Sequence, residues 1–238
     1  MGAIAAILVA GGIVALIVGA YLQFKGGRIT KTPFVPTGQA ASTAGKVSVQ
    51  GAVQCPEPLA SPVTGTPCLY YVLKVEGFWK AGDSNKSKVY TEEKVAAPFQ
   101  LDDGSGGVPI DVSGGGDVDM QKTFDETKKE GFFADLKGAV GKGEPMMFGN
   151  YAFHNPPMSK ANKFKCTERI VPMPSQAFAL GKMEQGVITG AGMLGLMLSP
   201  KTRDELMGSS AKNAKMAFIG GAAAAGLGMV VGAISAIL

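Results

Sequence analysis

Charge and histidine are scarce in this chain of 238 residues. Charged side chains make up 18% of it, against roughly 25% in soluble proteins, which argues against a disordered chain. The net charge is only +4, so there is no large basic surplus to favour a nucleic acid as partner. The single histidine, His154, excludes metal sites and triads that need more than one, and its place in a proline-rich turn predicts a solvated side chain.

Cysteine is also rare, with only Cys55, Cys68 and Cys166 present. They lack CxxC spacing, so a structural zinc would miss its fourth ligand unless His154 took part. Cys55 and Cys68 are able to pair in an oxidising compartment, whereas free thiols fit a cytoplasmic location. We expect no metal and no cofactor.

Both ends of the chain are nearly free of charge. Residues 3–22 are apolar or glycine apart from Tyr21, and at 1.5 Å per residue they cross the roughly 30 Å core of a bilayer. A cleaved signal peptide would need a basic segment before a shorter apolar core, so we predict a retained transmembrane helix. Residues 216–238 carry no charge either and predict a second transmembrane helix, giving an integral membrane protein with two spans.

Small residues at four-residue spacing lie along both predicted spans. Such spacing allows two helices to approach closely within lipid. The sequence leaves open whether the two helices pack on each other, self-associate between copies, or dock to another membrane protein. The residues of this predicted helix-packing interface are Ala15, Gly19, Gly221, Ala224, Ala225, Gly228 and Gly232.

Basic residues flank the two spans only on the sides that face the middle of the chain. They are Lys25, Arg28, Lys31, Lys201, Arg203, Lys212 and Lys215. By the positive-inside rule, this asymmetry predicts a middle domain on the cytoplasmic side and both termini outside. The opposite orientation is the alternative.

The middle of the chain has the pattern of a mainly β domain. A linker rich in proline and glycine at 32–45 precedes alternating apolar runs, separated by turns, over 46–198; together they predict a small barrel or sandwich. Residues 119–143 favour a short amphipathic helical insert. Ser199 followed by proline predicts a helix start, and Thr202 with Glu205 fits a capping box, so a helix is expected over 199–215.

The densest acidic group lies around two glycine-rich loops, at 104–107 and 114–116. Its members are Asp102, Asp103, Asp111, Asp117 and Asp119. They offer oxygen ligands for a hard cation, but their spacing differs from an EF-hand, and acidic residues beside glycine favour turns. Neither loop carries a phosphate-binding signature.

The string SPVTGTPCLYY at 61–71 resembles the GIDE or BAM ("beside a membrane") domain, known from mitochondrial membrane-anchored ubiquitin ligases and many prokaryotic membrane proteins. Three later strings agree in order: PFQLDDGSG at 98–106, FKCTERIVP at 164–172 and SPKTRDEL at 199–206. The layout of helix, domain and helix is similar too. The residues of this family motif are Ser61, Pro62, Thr64, Gly65, Pro67, Cys68, Tyr70, Tyr71, Asp102, Asp103, Gly104, Glu168 and Gly181.

The resemblance implies a domain anchored in a prokaryotic cell membrane. The ligases continue past the second helix into a RING domain that recruits the conjugating enzyme, whereas this sequence stops at Leu238, so ligase activity is not implied. In mitochondrial relatives the domain faces the intermembrane space, which disagrees with the charge asymmetry described above; we keep the charge asymmetry.

We therefore expect a non-enzymatic interaction or scaffold module in a membrane protein assembly. Its expected partners are the lipid bilayer and either further copies of itself or other membrane proteins, with no nucleic acid. One alternative is an accessory that senses a ligand or stress for a ubiquitin-ligase-like or other membrane-bound enzyme system. Another is a thiol hydrolase that uses Cys68 or Cys166.

Overall fold

Two long helices flank a mainly β domain in the computed structural model, which describes residues 2–129, 145–156, 159–190 and 195–237. The helices are α1 (Gly2–Lys31), α2 (Thr37–Ala40) and α3 (Arg203–Ile237). The strands are β1 (Lys46–Gln54), β2 (Leu59–Ala60), β3 (Pro67–Ala81), β4 (Ser84–Ala96), β5 (Phe99–Asp102), β6 (Gly107–Ile110), β7 (Gly116–Val118), β8 (Gln121–Lys129), β9 (Met146–Phe148), β10 (Tyr151–Phe153), β11 (Lys163–Pro172), β12 (Gln176–Glu184), β13 (Val187–Thr189) and β14 (Leu196–Ser199).

Five strands close into a barrel. β1 pairs with β5 on one edge and with β12 on the other, and the pairs β5–β6, β6–β13 and β13–β12 complete the ring. Alternating apolar residues of β1, such as Val47 and Val49, point inward and pack with Leu101, Ile188 and Leu196. The predicted mainly β domain is thus a barrel rather than a sandwich.

A second sheet extends from the barrel in the order β4–β3–β11–β8, with β2 beside the start of β3. Leu69 and Tyr70, near the start of β3, lie in the barrel core. Farther along, Leu73 and Val75 pack under the β9–β10 hairpin with its Phe148. Because β3 contributes to both cores, the barrel and the second sheet are one packed body.

The barrel requires a glycine at Gly181, where β12 changes partner from β14 to β13. A Cβ atom there would collide with the carbonyl oxygen of Thr189 and lie 2.7 Å from Ile188 Cγ2. Any side chain would therefore push β13 off the barrel wall.

The predicted helical insert at 119–143 is wrong over residues 121–129, which form β8. Their backbone groups pair along β11, and this long-range pairing outweighs the local helical pattern. The rest of the insert, 130–144, lies outside the described residues. The predicted linker at 32–45 also packs closely: it contains α2, whose Thr37 and Ala40 are buried.

The predicted capping box of Thr202 and Glu205 forms, but Ser199 is not the N-cap of the helix. The Thr202 Oγ1 accepts the Glu205 N–H at 3.2 Å, while the Glu205 carboxylate accepts the Thr202 N–H at 2.8 Å, so α3 begins at Arg203. Ser199 ends β14 instead, and its hydroxyl donates to Asp119 at 2.7 Å. From Arg203, α3 runs without a break to Ile237, so the two helical segments expected over 199–215 and 216–238 form one helix.

α1 and α3 pack side by side and antiparallel. Gly12 lies against Gly221 and Ala225, and a Cβ on Gly12 would meet their backbone atoms at 2.8 Å. Nearer the barrel, a Cβ on Gly19 would lie 3.3 Å from the Ala217 side chain. Small residues thus bring the two backbones together within one chain.

The other residues of the predicted interface have mixed surroundings. A Cβ on Gly221 would be 3.2 Å from the Ala15 Cβ, so Ala15 belongs to the contact between the helices. Gly228 is buried and Ala224 half-buried, whereas the surroundings of Gly232 lie outside the described residues. Association between copies of the chain stays a prediction.

α1 is long and apolar enough to cross a membrane, with a mean hydropathy of 2.2 over an 18-residue window within Ala6–Lys31. It is the one helix with this property among the described residues. Its outward side chains, including Ile7 and Ile17, are more than half exposed, as expected of a helix that lipid surrounds.

Replacing Gly12 by leucine should lower the melting temperature of the full chain in mild detergent, measured by circular dichroism. The added side chain overpacks the helix contact, at a cost of about 1–3 kcal/mol. Gly11→Leu is the matched control, because a Cβ at Gly11 has no neighbour within 4 Å. Equal melting temperatures for the two variants would contradict the helix packing.

Candidate functional site

A fully buried carboxylate, that of Glu168 on β11, gathers four hydrogen bonds. Its Oε1 accepts the hydroxyls of Thr64 and Thr123, each at 2.7 Å, and that of Ser61 at 3.2 Å. Its Oε2 accepts the Val63 N–H at 2.7 Å. We call Glu168 and these four donors the carboxylate network.

Three of the four donors come from the turn between β2 and β3. The turn closes on itself, since the Gly65 N–H donates to the Ser61 carbonyl at 2.9 Å and the Ser61 N–H donates to the Thr66 carbonyl at 3.0 Å. Gly65 has a φ of +70°, which favours glycine. The sequence SPVTGT therefore forms a loop whose hydroxyl and amide groups converge on the Glu168 carboxylate.

The electrostatics of the network favour an ionised Glu168. Burial by itself raises the pKa of this carboxyl, but the hydrogen bonds from its four donors outweigh burial and hold the pKa below its usual value. A carboxylate whose oxygens already serve four donors is suited to fixing a loop rather than to taking a proton from a substrate.

The network joins two of the strings on which the family resemblance rests, at 61–71 and 164–172. Other motif residues of the first string lead directly into the sheet. Pro62 lies half-buried in the turn, Pro67 begins β3, and Cys68 is buried beside it. Tyr70 packs in the barrel core, whereas Tyr71 packs against the core of the second sheet, as expected for neighbours on one strand.

A second part of the motif fastens α2 to the β5–β6 loop. The Asp103 carboxylate accepts the N–H and hydroxyl of Thr37 and the hydroxyl and N–H of Ser105. These hydrogen bonds hold the pKa of Asp103 far below its usual range. Asp102 accepts the Gly104 N–H at 2.7 Å, and Gly104 has a φ of +93°.

The other three members of the acidic group noted in the sequence also contact protein groups. Asp111 accepts the Ser113 N–H at 2.8 Å, Asp117 pairs with Lys25, and Asp119 accepts a hydroxyl of β14. In the part of the chain that the structure describes, no cluster of three or more His, Cys, Asp or Glu side chains has the arrangement of a metal site. The turn interpretation of the acidic group fits these contacts.

The cysteines are free thiols, and two of them are poor nucleophiles. Burial, with the nearby Glu168 charge as a second cause, raises the pKa of Cys68 to about 11 and that of Cys166 to about 12. Both therefore stay protonated at neutral pH, which argues against the thiol-hydrolase alternative. Cys55 is half-buried, and His154 is exposed after β10.

A family comparison confirms the resemblance found in the sequence. The family model GIDE, described as "E3 Ubiquitin ligase", matches residues 71–232, about two thirds of the chain. The chain belongs to the GIDE family. Searches of curated proteins and of solved structures gave no match. The matched region holds Glu168 and Thr123 of the carboxylate network, whereas the turn at 61–66 precedes it.

The junction between the helices and the GIDE barrel is the second candidate site. Ile29 of α1 and Leu206 of α3 are buried against Phe178 and Leu180 of the barrel wall and Met197 of the adjoining β14. This cluster fixes both helix ends to β12 and β14.

Polar contacts of α1 reinforce the junction. Lys25 forms an ion pair with Asp117 of β7 at 2.9 Å, and Arg28 donates to the Gly195 carbonyl at 3.2 Å. The sequence predicted neither contact, because lysine and arginine after an apolar span indicate a membrane flank. The sequence does not indicate the role of Thr123 either, because its segment has the pattern of a helix.

Replacing Glu168 by glutamine should lower the free energy of unfolding of the full chain by about 3 kcal/mol, because an amide group then faces four donors. Urea denaturation in mild detergent measures the change. Glu126→Gln is the control, since Glu126 is exposed on β8 and its ion pair with Lys128 is long, at 3.6 Å. A loss no larger than that of the control would contradict the role of the network.

The wild-type chain and the Glu168→Gln variant also allow a test of the pH dependence of stability. The folded pKa of Glu168 lies below the free value of 4.5, so its stabilisation is complete above pH 4.5 and declines as the pH falls through the folded pKa. The stability difference between wild type and Glu168→Gln should shrink accordingly on acidification.

Proposed function

We propose that this GIDE protein is a non-enzymatic, membrane-anchored interaction module that serves as a subunit of a membrane protein assembly. The observation that carries the proposal is the junction, where Ile29 and Leu206 bury both helix ends against the barrel. A domain held in this way presents its surfaces at a fixed height and angle, which suits a scaffold.

The proposal includes a second membrane span formed by α3. α3 packs along α1 antiparallel, so its residues from Met216 onward lie at the same depth as the apolar part of α1. Their outward side chains are apolar and exposed, with Ile219 and Leu227 each at 61% and Met229 at 64%. Lipid or a membrane partner would cover these side chains more favourably than water.

The membrane boundary would lie near Tyr21 and Lys215, which are level on the two helices. Basic residues on the domain side favour the cytoplasmic face of a prokaryotic cell membrane. Three of the seven, Lys25, Arg28 and Arg203, contact the domain, and the other four support this orientation through the flanks of the helices.

The non-enzymatic part of the proposal is supported by the chemistry of the described residues. The thiols of Cys68 and Cys166 are buried and protonated, and the carboxylate of Glu168 is fully engaged. Partners would therefore bind to the exposed surface. The apolar outer faces of the helix pair suit a second copy of the chain or another membrane protein.

A second candidate function is an accessory to a ubiquitin-ligase-like or other membrane-bound enzyme system that senses a ligand or stress. The description of the matched family as "E3 Ubiquitin ligase" favours it. The two candidates share the anchored domain and differ in whether the assembly contains an enzyme.

The proposal is tested by extracting the full chain in mild detergent at native expression and sizing it by native electrophoresis. We expect resistance to carbonate extraction, a particle larger than one chain, and no ubiquitin transfer when activating enzyme, conjugating enzyme and ubiquitin are added. A monomeric particle without partners, or ubiquitin transfer by the purified chain, would contradict it.

Orientation is read in the same cells with a Ser84→Cys variant in a Cys55→Ser background. Ser84 is exposed at the start of β4, so an introduced thiol there is accessible, whereas Cys68 and Cys166 are buried. Protection from a membrane-impermeant thiol reagent in sealed cells is expected for a cytoplasmic domain, and labelling would reverse the orientation.

A further inference from the structure

A cleft of about 340 Å³ lies between α1 and β7, beside the junction. Its helix wall consists of Tyr21, Phe24, Lys25 and Arg28, and its opposite wall is the backbone and side chains of β7. It thus combines two aromatic rings with two cations in one opening.

The cleft lies where the apolar stretch of α1 ends. Tyr21 and Phe24 are 54% and 53% exposed, although both are aromatic. Aromatic side chains are enriched at the level of lipid headgroups, where one end of the ring meets hydrocarbon and the other meets water. If α1 spans the membrane as proposed, the mouth of the cleft opens at this level.

Counted against the described residues, both cations keep donors for a further ligand. The Lys25 ammonium has three N–H groups and forms an ion pair with Asp117, and its side chain is 21% exposed. The Arg28 guanidinium has five N–H donors and uses one on the Gly195 carbonyl. The net charge of these three side chains is one positive, which matches the single negative charge of a phosphodiester.

A glycine holds the opposite wall in place. Gly116 has a φ of +140°, and a Cβ there would collide with the Leu196 backbone, so β7 approaches β14 only because this residue is glycine. Asp117 is consequently fixed opposite Lys25, and the cleft is shaped by the fold rather than by loose surface side chains.

We propose that this cleft binds the headgroup of a membrane phospholipid. The phosphodiester accepts hydrogen bonds from Lys25 and Arg28, and the acyl chains lie along Tyr21, Phe24 and the apolar face of α1. The site rests on the proposed membrane anchoring and adds to it a specific lipid that holds the helix and the domain together.

The test is native mass spectrometry of the full chain purified in mild detergent, counting bound phospholipid. Lys25→Gln should reduce lipid occupancy about tenfold, because a charge-assisted hydrogen bond is lost. Asp117→Asn should retain or increase the lipid, since it releases Lys25 from its ion pair. Lys215→Gln is the matched control, as it removes a positive charge from an exposed position at the same level of α3 and should leave occupancy unchanged.

Three outcomes would overturn the site. The first is an equal loss of lipid occupancy in Lys25→Gln and Asp117→Asn, which would indicate a purely structural ion pair. The second is an equal loss of lipid occupancy in Lys215→Gln, which would indicate non-specific surface charge. The third is displacement of the lipid by inorganic phosphate. Flotation with liposomes separates this proposal from the anchoring: a chain that does not float refutes the anchoring, whereas one that floats without bound phospholipid refutes only the site.

Discussion

The burial of Ile29 and Leu206 against the wall of the barrel is the contact on which the rest of the molecule depends. Two helices that merely flanked the domain would leave it free to swing. Because their ends are buried in β12 and β14, and because Lys25 is paired with Asp117, the direction of the helix pair sets the direction of the domain. The proposed scaffold role and the lipid cleft both follow from this rigid mounting.

The carboxylate network shows what the family motif does in this chain. Strings that lie about a hundred residues apart in the sequence meet because Ser61, Thr64 and the Val63 amide all donate to Glu168. A buried carboxylate without its donors would be costly, so these residue types are required together. The most distinctive part of the sequence therefore specifies the fold, and recognition is left to the surface.

Local patterns predicted the parts of the fold that local physics decides. The alternation over Lys46–Gln54 gave β1 with the bounds that the structure has, and the capping box gave the start of α3. Long-range pairing decides the rest. β8 is a strand because β11 lies beside it, and Thr123 meets Glu168 through that pairing. Lys25 and Asp117 are in contact although 92 residues separate them in the sequence. Such long-range contacts cannot be predicted from the pattern of residues within a short window of sequence.

The most direct test of the rigid mounting is a distance distribution between spin labels on Ser84→Cys and Ala222→Cys, in a Cys55→Ser background and a lipid nanodisc. Both positions are exposed, one at the end of the second sheet and one on the outer face of α3. A single narrow distribution is expected, and Leu206→Ala should broaden it. A broad distribution in the chain with Leu206 intact would contradict a domain fixed to its helices.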